Sequence, residues 1–240
     1  MASILIVDAA RDVTQAVSRS LFSAGYEIFA AYDGAQALRR LQESPVDLAI
    51  IELILPQMDG IELCRKIRGD PVLGQTRILV LTARHDISNK VGAFHIGVDD
   101  YLTKPFEMVE LECRVEALLR RSLDSSSHHP VRFLSLKVDG VSLEMDTATF
   151  RVYVDGRKVH LTPTEFDLLY CLMEHVGAVV PHDSLLLDVW GYKSGTGDPE
   201  LVRAHIKNLR SKLAQSSRKK REIIQTSLRR GYMISTETSR

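Results

Sequence analysis

In the first half of the chain, five short apolar runs alternate with segments of helical period, an order that few folds accommodate. Ser3 to Val7 (SILIV) has the character of a buried parallel strand and ends at Asp8. Val13, Ala16, Val17, Ser20, Leu21 and Ala24 then follow helical spacing, and Gly25 stops the helix. The pair recurs as strand 27–31 with helix 34–42, strand 48–53 with helix 59–67, strand 78–81 with helix 86–96, and strand 99–102 with helix 107–121. This pattern predicts an α/β doubly wound, five-stranded parallel sheet, covered on both faces, with any site at the carboxyl ends of its strands. Asp8, Glu52, Thr82 and Lys104 all fall at those ends.

The pattern then changes. SLDSSSHHP (122–130) has no hydrophobic period and reads as a flexible linker. From Val131 to Leu161, short alternating runs punctuated by Asp-Gly predict an antiparallel sheet, with Asp155-Gly156 as a hairpin turn. Thr162 to Glu165 has the capping-box spacing and opens an amphipathic helix with Phe166, Leu169, Leu172 and Met173 on its core side. A short helix over 181–189 and a Gly-rich loop follow. A chain of 240 residues is long enough for two domains, each with its own core.

The last long helix carries the strongest functional signal. Val202, Ile206, Leu209 and Leu213 form one stripe, which places Arg203, Lys207 and Arg210 together on its flank. A β-prone hairpin, IIQTSLRRGYMI, comes after it. Formal net charge over the whole chain is zero, yet Pro199 to Met233 holds ten Lys and Arg against Glu200 and Glu222. A helix with one buried face and one cationic flank, followed by a basic hairpin, suits a DNA groove and its backbone.

Other classes are less well supported. The apolar runs are too short to cross a bilayer, and MASILIVDAARD lacks the basic start of a signal peptide, so a cytoplasmic protein without membrane contact is expected. Cys64, Cys113 and Cys171 are widely spaced inside periodic segments and read as buried thiols, not as a disulfide frame or metal cluster.

ILIVD, VDLAIIELILPQMDG, ILVLTA and GVDDYLTKPF resemble, in order and spacing over residues 1–121, the receiver domain of two-component response regulators. The resemblance implies two acids after the first strand that hold Mg²⁺ and an Asp after the third that accepts a phosphoryl group. It also implies a Thr and a Lys contacting the phosphoryl oxygens, and an aromatic residue on the fifth strand that moves on activation. By position these are Asp8 with Ala9, then Glu52, Thr82, Lys104 and Tyr101. Ala9 removes one metal-binding acid, and Glu52 replaces the acceptor Asp with a carboxylate one methylene further out. Mg²⁺ binding suffers from the first change and in-line phosphoryl transfer from the second. Neither a metal nor another cofactor is therefore expected, nor any enzymatic turnover. Glu52 either imitates part of the phosphorylated state, as an anion closer to Thr82 and Lys104, or simply pairs with Lys104 as a fixed contact.

Residues 131–235 resemble the winged-helix effector domain of the OmpR/PhoB family, with LTPTEF, the VW–G loop, VRAHIKNLRSKL and IIQT…RRGY in order. This resemblance implies binding to double-stranded DNA, a possible contact with RNA polymerase through the Gly-rich loop, and a homodimer through the last two helices and last strand of the receiver. Lys90, Asp100, Glu110 and Arg114 occupy the dimer positions, although Asp99, Asp100 and Arg114 could instead serve their own domain. Arg203, Lys207 and Asn208 are placed near base edges, and Arg210, Arg229 and Arg230 near phosphates. Leu228 stands where a wing Arg is usual. Two rival readings are a conventional phosphorylation-switched regulator and a receiver that binds a partner or small ligand, with the basic domain supplementing that contact.

Overall fold

The computed structural model describes residues 1–83, 96–123, 132–193, 195–217, 222–228 and 230–235. The chain divides into two compact units, Met1–Leu123 and Asp124–Arg240. The helix expected over 86–96 and most of the linker expected over 122–130 fall outside the described residues, as do Lys90 and Arg229.

The first unit is the expected parallel sheet. Its strands are β1 (Ser3–Val7), β2 (Glu27–Ala31), β3 (Leu48–Ile51), β4 (Arg77–Thr82) and β5 (Asp100–Thr103), in spatial order β2-β1-β3-β4-β5. Helices α1 (Arg11–Ser23), α2 (Gly34–Glu43), α3 (Gly60–Gly69) and α4 (Met108–Leu123) connect or follow them. Alternation along each strand sends Ile4, Ile6, Leu48, Ile50, Leu79, Leu81 and Leu102 to one face. There they pack with Val17 and Leu21 of α1 and Leu111, Val115 and Leu118 of α4. The other face of the three central strands is equally buried, which is why these strands read as continuous apolar runs.

Two details fix the carboxyl ends of the strands. β3 stops at Ile51 and not at Leu53, so Glu52 is the first residue past it. Asp59 then caps α3 by accepting the Ile61 N–H at 2.8 Å. A Cβ on Gly60 would lie 2.3 Å from the Glu52 carbonyl oxygen, so only glycine lets α3 start this close to Glu52.

At the amino ends of the strands, Arg68 of α3 donates to the carbonyls of Gly97 (2.8 Å), Gly74 (3.1 Å) and Thr76 (2.5 Å) and pairs with buried Asp99 at 2.6 Å. Asp99 also accepts the Ile78 N–H at 2.6 Å. One guanidinium thus ties together the approaches to β4 and β5.

The second unit begins with the antiparallel sheet β6 (Phe133–Val138), β7 (Val141–Asp146), β8 (Arg151–Val154) and β9 (Arg157–Val159), in that spatial order. Asp155 and Gly156 both have positive φ, 49° and 76°, as a two-residue hairpin turn requires. Helices α5 (Pro163–Glu174), α6 (His182–Trp190) and α7 (Pro199–Ser216) follow, then the hairpin β10 (Gln225–Ser227) and β11 (Gly231–Met233). The capping box is present in full, with Thr162 accepting the Glu165 N–H and Glu165 accepting the Thr162 N–H. Tyr232 exchanges two backbone hydrogen bonds with Val180, at 2.8 and 3.0 Å, which pins the hairpin beside the start of α6.

Candidate functional site

Asp8 follows β1, Glu52 follows β3, Thr82 ends β4 and Lys104 follows β5, so the fold gathers the four residues expected of a pocket. Asp8 and Glu52 are each 5 % exposed, and Thr82 is fully buried. Lys104 Nζ lies 2.8 Å from Glu52 Oε2 and also donates to Asp8 Oδ2. The Thr82 hydroxyl and the Ile54 N–H, the latter at 3.0 Å, both donate to Glu52 Oε1. The Ala10 N–H donates to Asp8 Oδ1 at 2.9 Å. Every carboxylate oxygen in the pocket therefore has a donor.

The electrostatics follow from these contacts. Burial pushes the Glu52 carboxyl up, but the Lys104, Thr82 and Ile54 donors outweigh it and hold the group below its ordinary value. Burial likewise pulls Lys104 down, while Asp8 and Glu52 more than restore it and raise it above the ordinary lysine range. Both groups are charged at neutral pH.

This donor set does not suit the Mg²⁺ of the receiver resemblance. Mg²⁺ takes an octahedron of oxygens, usually from a couple of carboxylates with phosphate and water. Ala9 offers no ligand, and the oxygens of Asp8 and Glu52 already accept from Lys104 and backbone N–H groups. Among the described residues no group of three His, Cys, Asp or Glu is placed to hold a metal.

Tyr101 on β5 is buried, 5 % exposed. Arg114 of α4 bonds to Asp100 at 2.9 Å and to Glu110 at 2.6 Å, so these three dimer-face candidates are joined within one receiver. Lys90 lies outside the described residues.

In the second unit, Leu201, Val202, His205, Ile206, Leu209 and Leu213 form the buried side of α7. Asp198 caps the helix through the Glu200 N–H at 2.9 Å, and Pro199 occupies its first turn. Arg203 and Lys207 project from the opposite flank and are exposed, and Asn208 is half-buried beside them. Arg203 also pairs with Glu200 one turn earlier. Arg230 is exposed in the hairpin turn, while Arg229 lies outside the described residues.

Arg210 is placed differently from the other cations. Its guanidinium donates to the Ile224 carbonyl at 3.0 Å and to the Thr226 hydroxyl at 2.8 Å, pairs with Glu222 at 3.0 Å, and lies 5.6 Å from the Tyr232 ring centroid. It anchors the hairpin to α7. Sequence spacing places Arg210 on the Arg203 flank but carries no information on where the hairpin returns. His205 is fully buried with its ring 5.2 Å from that of Trp190, which makes both packing residues.

Comparison with known proteins agrees with the two folds. Residues 4–116 match the family model of the response regulator receiver domain, and residues 156–234 that of the C-terminal domain of transcriptional regulatory proteins. The chain is 35 % identical over 240 residues to the DNA-binding dual master transcriptional regulator RpaA of Synechocystis sp., spanning 99 % of this chain and 97 % of that one. It is 36 % identical over 234 residues to the response regulator ArlR of Staphylococcus aureus, spanning 98 % of this chain and all of the relative. The crystal structure of DrrB, an OmpR/PhoB homolog from Thermotoga maritima, aligns with a TM-score of 0.50 at 27 % identity over 98 % of this chain and 99 % of that one.

Proposed function

The chain belongs to the two-component response regulators with an OmpR/PhoB-type DNA-binding domain, and we propose that its receiver works without an acyl phosphate. In this reading the Glu52 carboxylate stands in for the phosphoryl group, and the effector domain binds DNA in the state the untreated protein already has. The observation that carries it is the convergence of Thr82 and Lys104 on the two oxygens of Glu52. These are the two side chains that the family directs at phosphoryl oxygens.

Phosphorylation is disfavoured on two independent grounds. The Glu52 oxygens are held by Thr82, Ile54 and Lys104 and are not free to attack in line. Phosphoryl transfer also draws on metal charge, which the Ala9 pocket is ill-equipped to hold. The protein accordingly regulates transcription and turns over no substrate. A cytoplasmic location is part of this reading; among the described residues no helix is long and apolar enough to cross a membrane.

On DNA, α7 enters the major groove with Arg203, Lys207 and Asn208 toward base edges. Arg229 and Arg230 contact phosphates, and Arg210 sets the hairpin against α7. Two copies bind repeated half-sites through the receiver face containing Lys90, Asp100, Glu110 and Arg114. For Arg114 to pair across such an interface, its bonds to Asp100 and Glu110 must open or be shared. RNA polymerase then meets the loop between α6 and α7.

The test is DNA binding by untreated protein on random and selected duplexes across salt concentration. Each phosphate neutralised contributes about 0.9 to the log–log slope. Tight, selective binding with no phosphodonor is expected. Selective binding that appears only after acetyl phosphate and Mg²⁺ are added overturns the proposal.

A further inference from the structure

The turn joining β10 and β11 is short, closed by the Arg230 N–H donating to the Ser227 carbonyl at 2.9 Å. Turns of this kind favour Gly, Asn, Asp and Ser, whose side chains or backbones suit water and tight curvature. Leu228 occupies this turn instead and is 83 % exposed, more than any other described large apolar side chain except Met1. Among the described residues of its own domain, nothing covers it.

The surroundings of Leu228 narrow the choice of partner. Arg230 is exposed in the same turn, Gln225 and Thr226 are exposed on the adjoining strand, and another arginine follows Leu228 in sequence. An apolar tip set among cations and amides is poorly matched to an ordinary apolar protein surface. It is well matched to a DNA groove, where phosphates line the rims and deoxyribose and base edges form the floor. The minor groove is about 6 Å wide, which excludes a two-stranded ribbon and admits only side chains from its tip. Val180 and Arg210 hold the base of the hairpin, so its tip is presented by a fixed support and not by a free loop.

We propose that Leu228 is a specificity-determining residue, an apolar wedge that enters the minor groove beside the site read by α7 and selects flanking steps that open easily. Apolar side chains of this size unstack base steps from the minor-groove side, and the energy required depends on the step being deformed. Leu228 thereby extends the sequence read beyond the bases that α7 touches, by deformability and not by hydrogen bonding. The inference rests on DNA binding by the second unit and not on the phosphate independence of the receiver.

The experiment uses the full-length protein and a set of duplexes that share one selected core site and differ only in the flank beneath the hairpin. One series carries TA steps, the other G·C base pairs. Fluorescence anisotropy gives relative affinity within each protein, and gel mobility of circularly permuted fragments gives the bend. For the unaltered protein a preference of about tenfold for the TA series is expected, the scale of one unfavourable base-pair position. Leu228→Ala should bind the core with that preference reduced below about twofold, a smaller bend and an unchanged salt slope. Leu228→Arg should steepen the salt slope by about 0.9 if it gains one phosphate contact, without restoring the bend. Since Leu228 is exposed, both variants should melt at the temperature of the parent, which confirms that they are folded. A Leu228→Ala protein that keeps the parent's flank preference and bend overturns the proposal. Phosphodonor dependence of core binding bears only on the receiver, so the two readings fail separately.

Discussion

The pocket at the carboxyl end of the receiver sheet and the cationic flank of α7 are both built from charged residues, but their charges face different partners. In the pocket, Asp8, Glu52, Thr82 and Lys104 bond one another and the backbone, and the two acids are almost wholly buried. On α7, Arg203 and Lys207 are held at the surface opposite a buried side that is apolar except for His205. The pocket groups bond one another and the backbone beneath the surface, whereas Arg203 and Lys207 stay at the surface, Arg203 beside Glu200 of its own helix.

The most severe challenge to this contrast is Lys104→Met. It leaves two buried carboxylates without their cation and should lower stability by roughly 3–5 kcal/mol, seen as a lower urea midpoint at constant slope. A loss below about 1 kcal/mol would show that water or rearrangement replaces Lys104 easily, and the pocket would not be internally closed. On the helix side, Arg203→Ala or Lys207→Ala should each weaken binding to the selected site by about tenfold or more while leaving the urea midpoint unchanged. If either lowers stability instead, the flank is structural.

Arg210→Ala should fall between these two classes, lowering stability by about 1–2 kcal/mol through loss of its bonds to Ile224, Thr226 and Glu222. Amide protection at Thr226 and Tyr232 should fall with it in the absence of DNA; unchanged protection would return Arg210 to the phosphate-gripping class.

A smaller effect is expected from acid. The folded-state pKa of Glu52 lies below its unfolded value, so its contribution is complete above about pH 4.3 and disappears as pH falls through the lower, folded value. Lys104 is raised, so its part is complete below about pH 10.4 and disappears as pH rises through its folded value. The Glu52→Gln protein should therefore lose less stability than the parent between pH 5 and the acid limb, read by urea titration. Smallest of all, Cys64, whose thiol burial pushes up to about 12, should resist iodoacetamide at neutral pH, while Cys113, which is exposed on α4 and not buried as its place in an apolar segment predicts, is modified.

Much of this was legible in the sequence. Strand periodicity located the carboxyl ends closely enough to gather Asp8, Glu52, Thr82 and Lys104, because a parallel sheet brings those ends together whatever the helices do. The α7 stripe was legible for a similar reason, since helical period alone separates a buried side from a polar one. What escaped were contacts created by long returns of the chain. Arg68 and Asp99 are 31 residues apart and show no pattern linking them. Arg210 was read from its own helix, when its partners belong to the hairpin. The sharing of Lys104 between two acids was also invisible, since spacing predicts proximity but not which oxygens accept. The Lys104–Glu52 pairing and the approach of the Glu52 anion to Thr82 are both among the alternatives that the sequence leaves open.

The bonds from Thr82 and Lys104 to Glu52 have a consequence in time. An acyl phosphate is a high-energy bond that water removes, so a receiver carrying one holds a message with an expiry. The carboxylate of Glu52 belongs to the chain and cannot be hydrolysed from that position. If, as proposed, Glu52 stands in for the phosphoryl group, the conformation it enforces lasts from folding until the polypeptide is degraded, and the half-life of the protein replaces the half-life of a phosphate as the clock on its output.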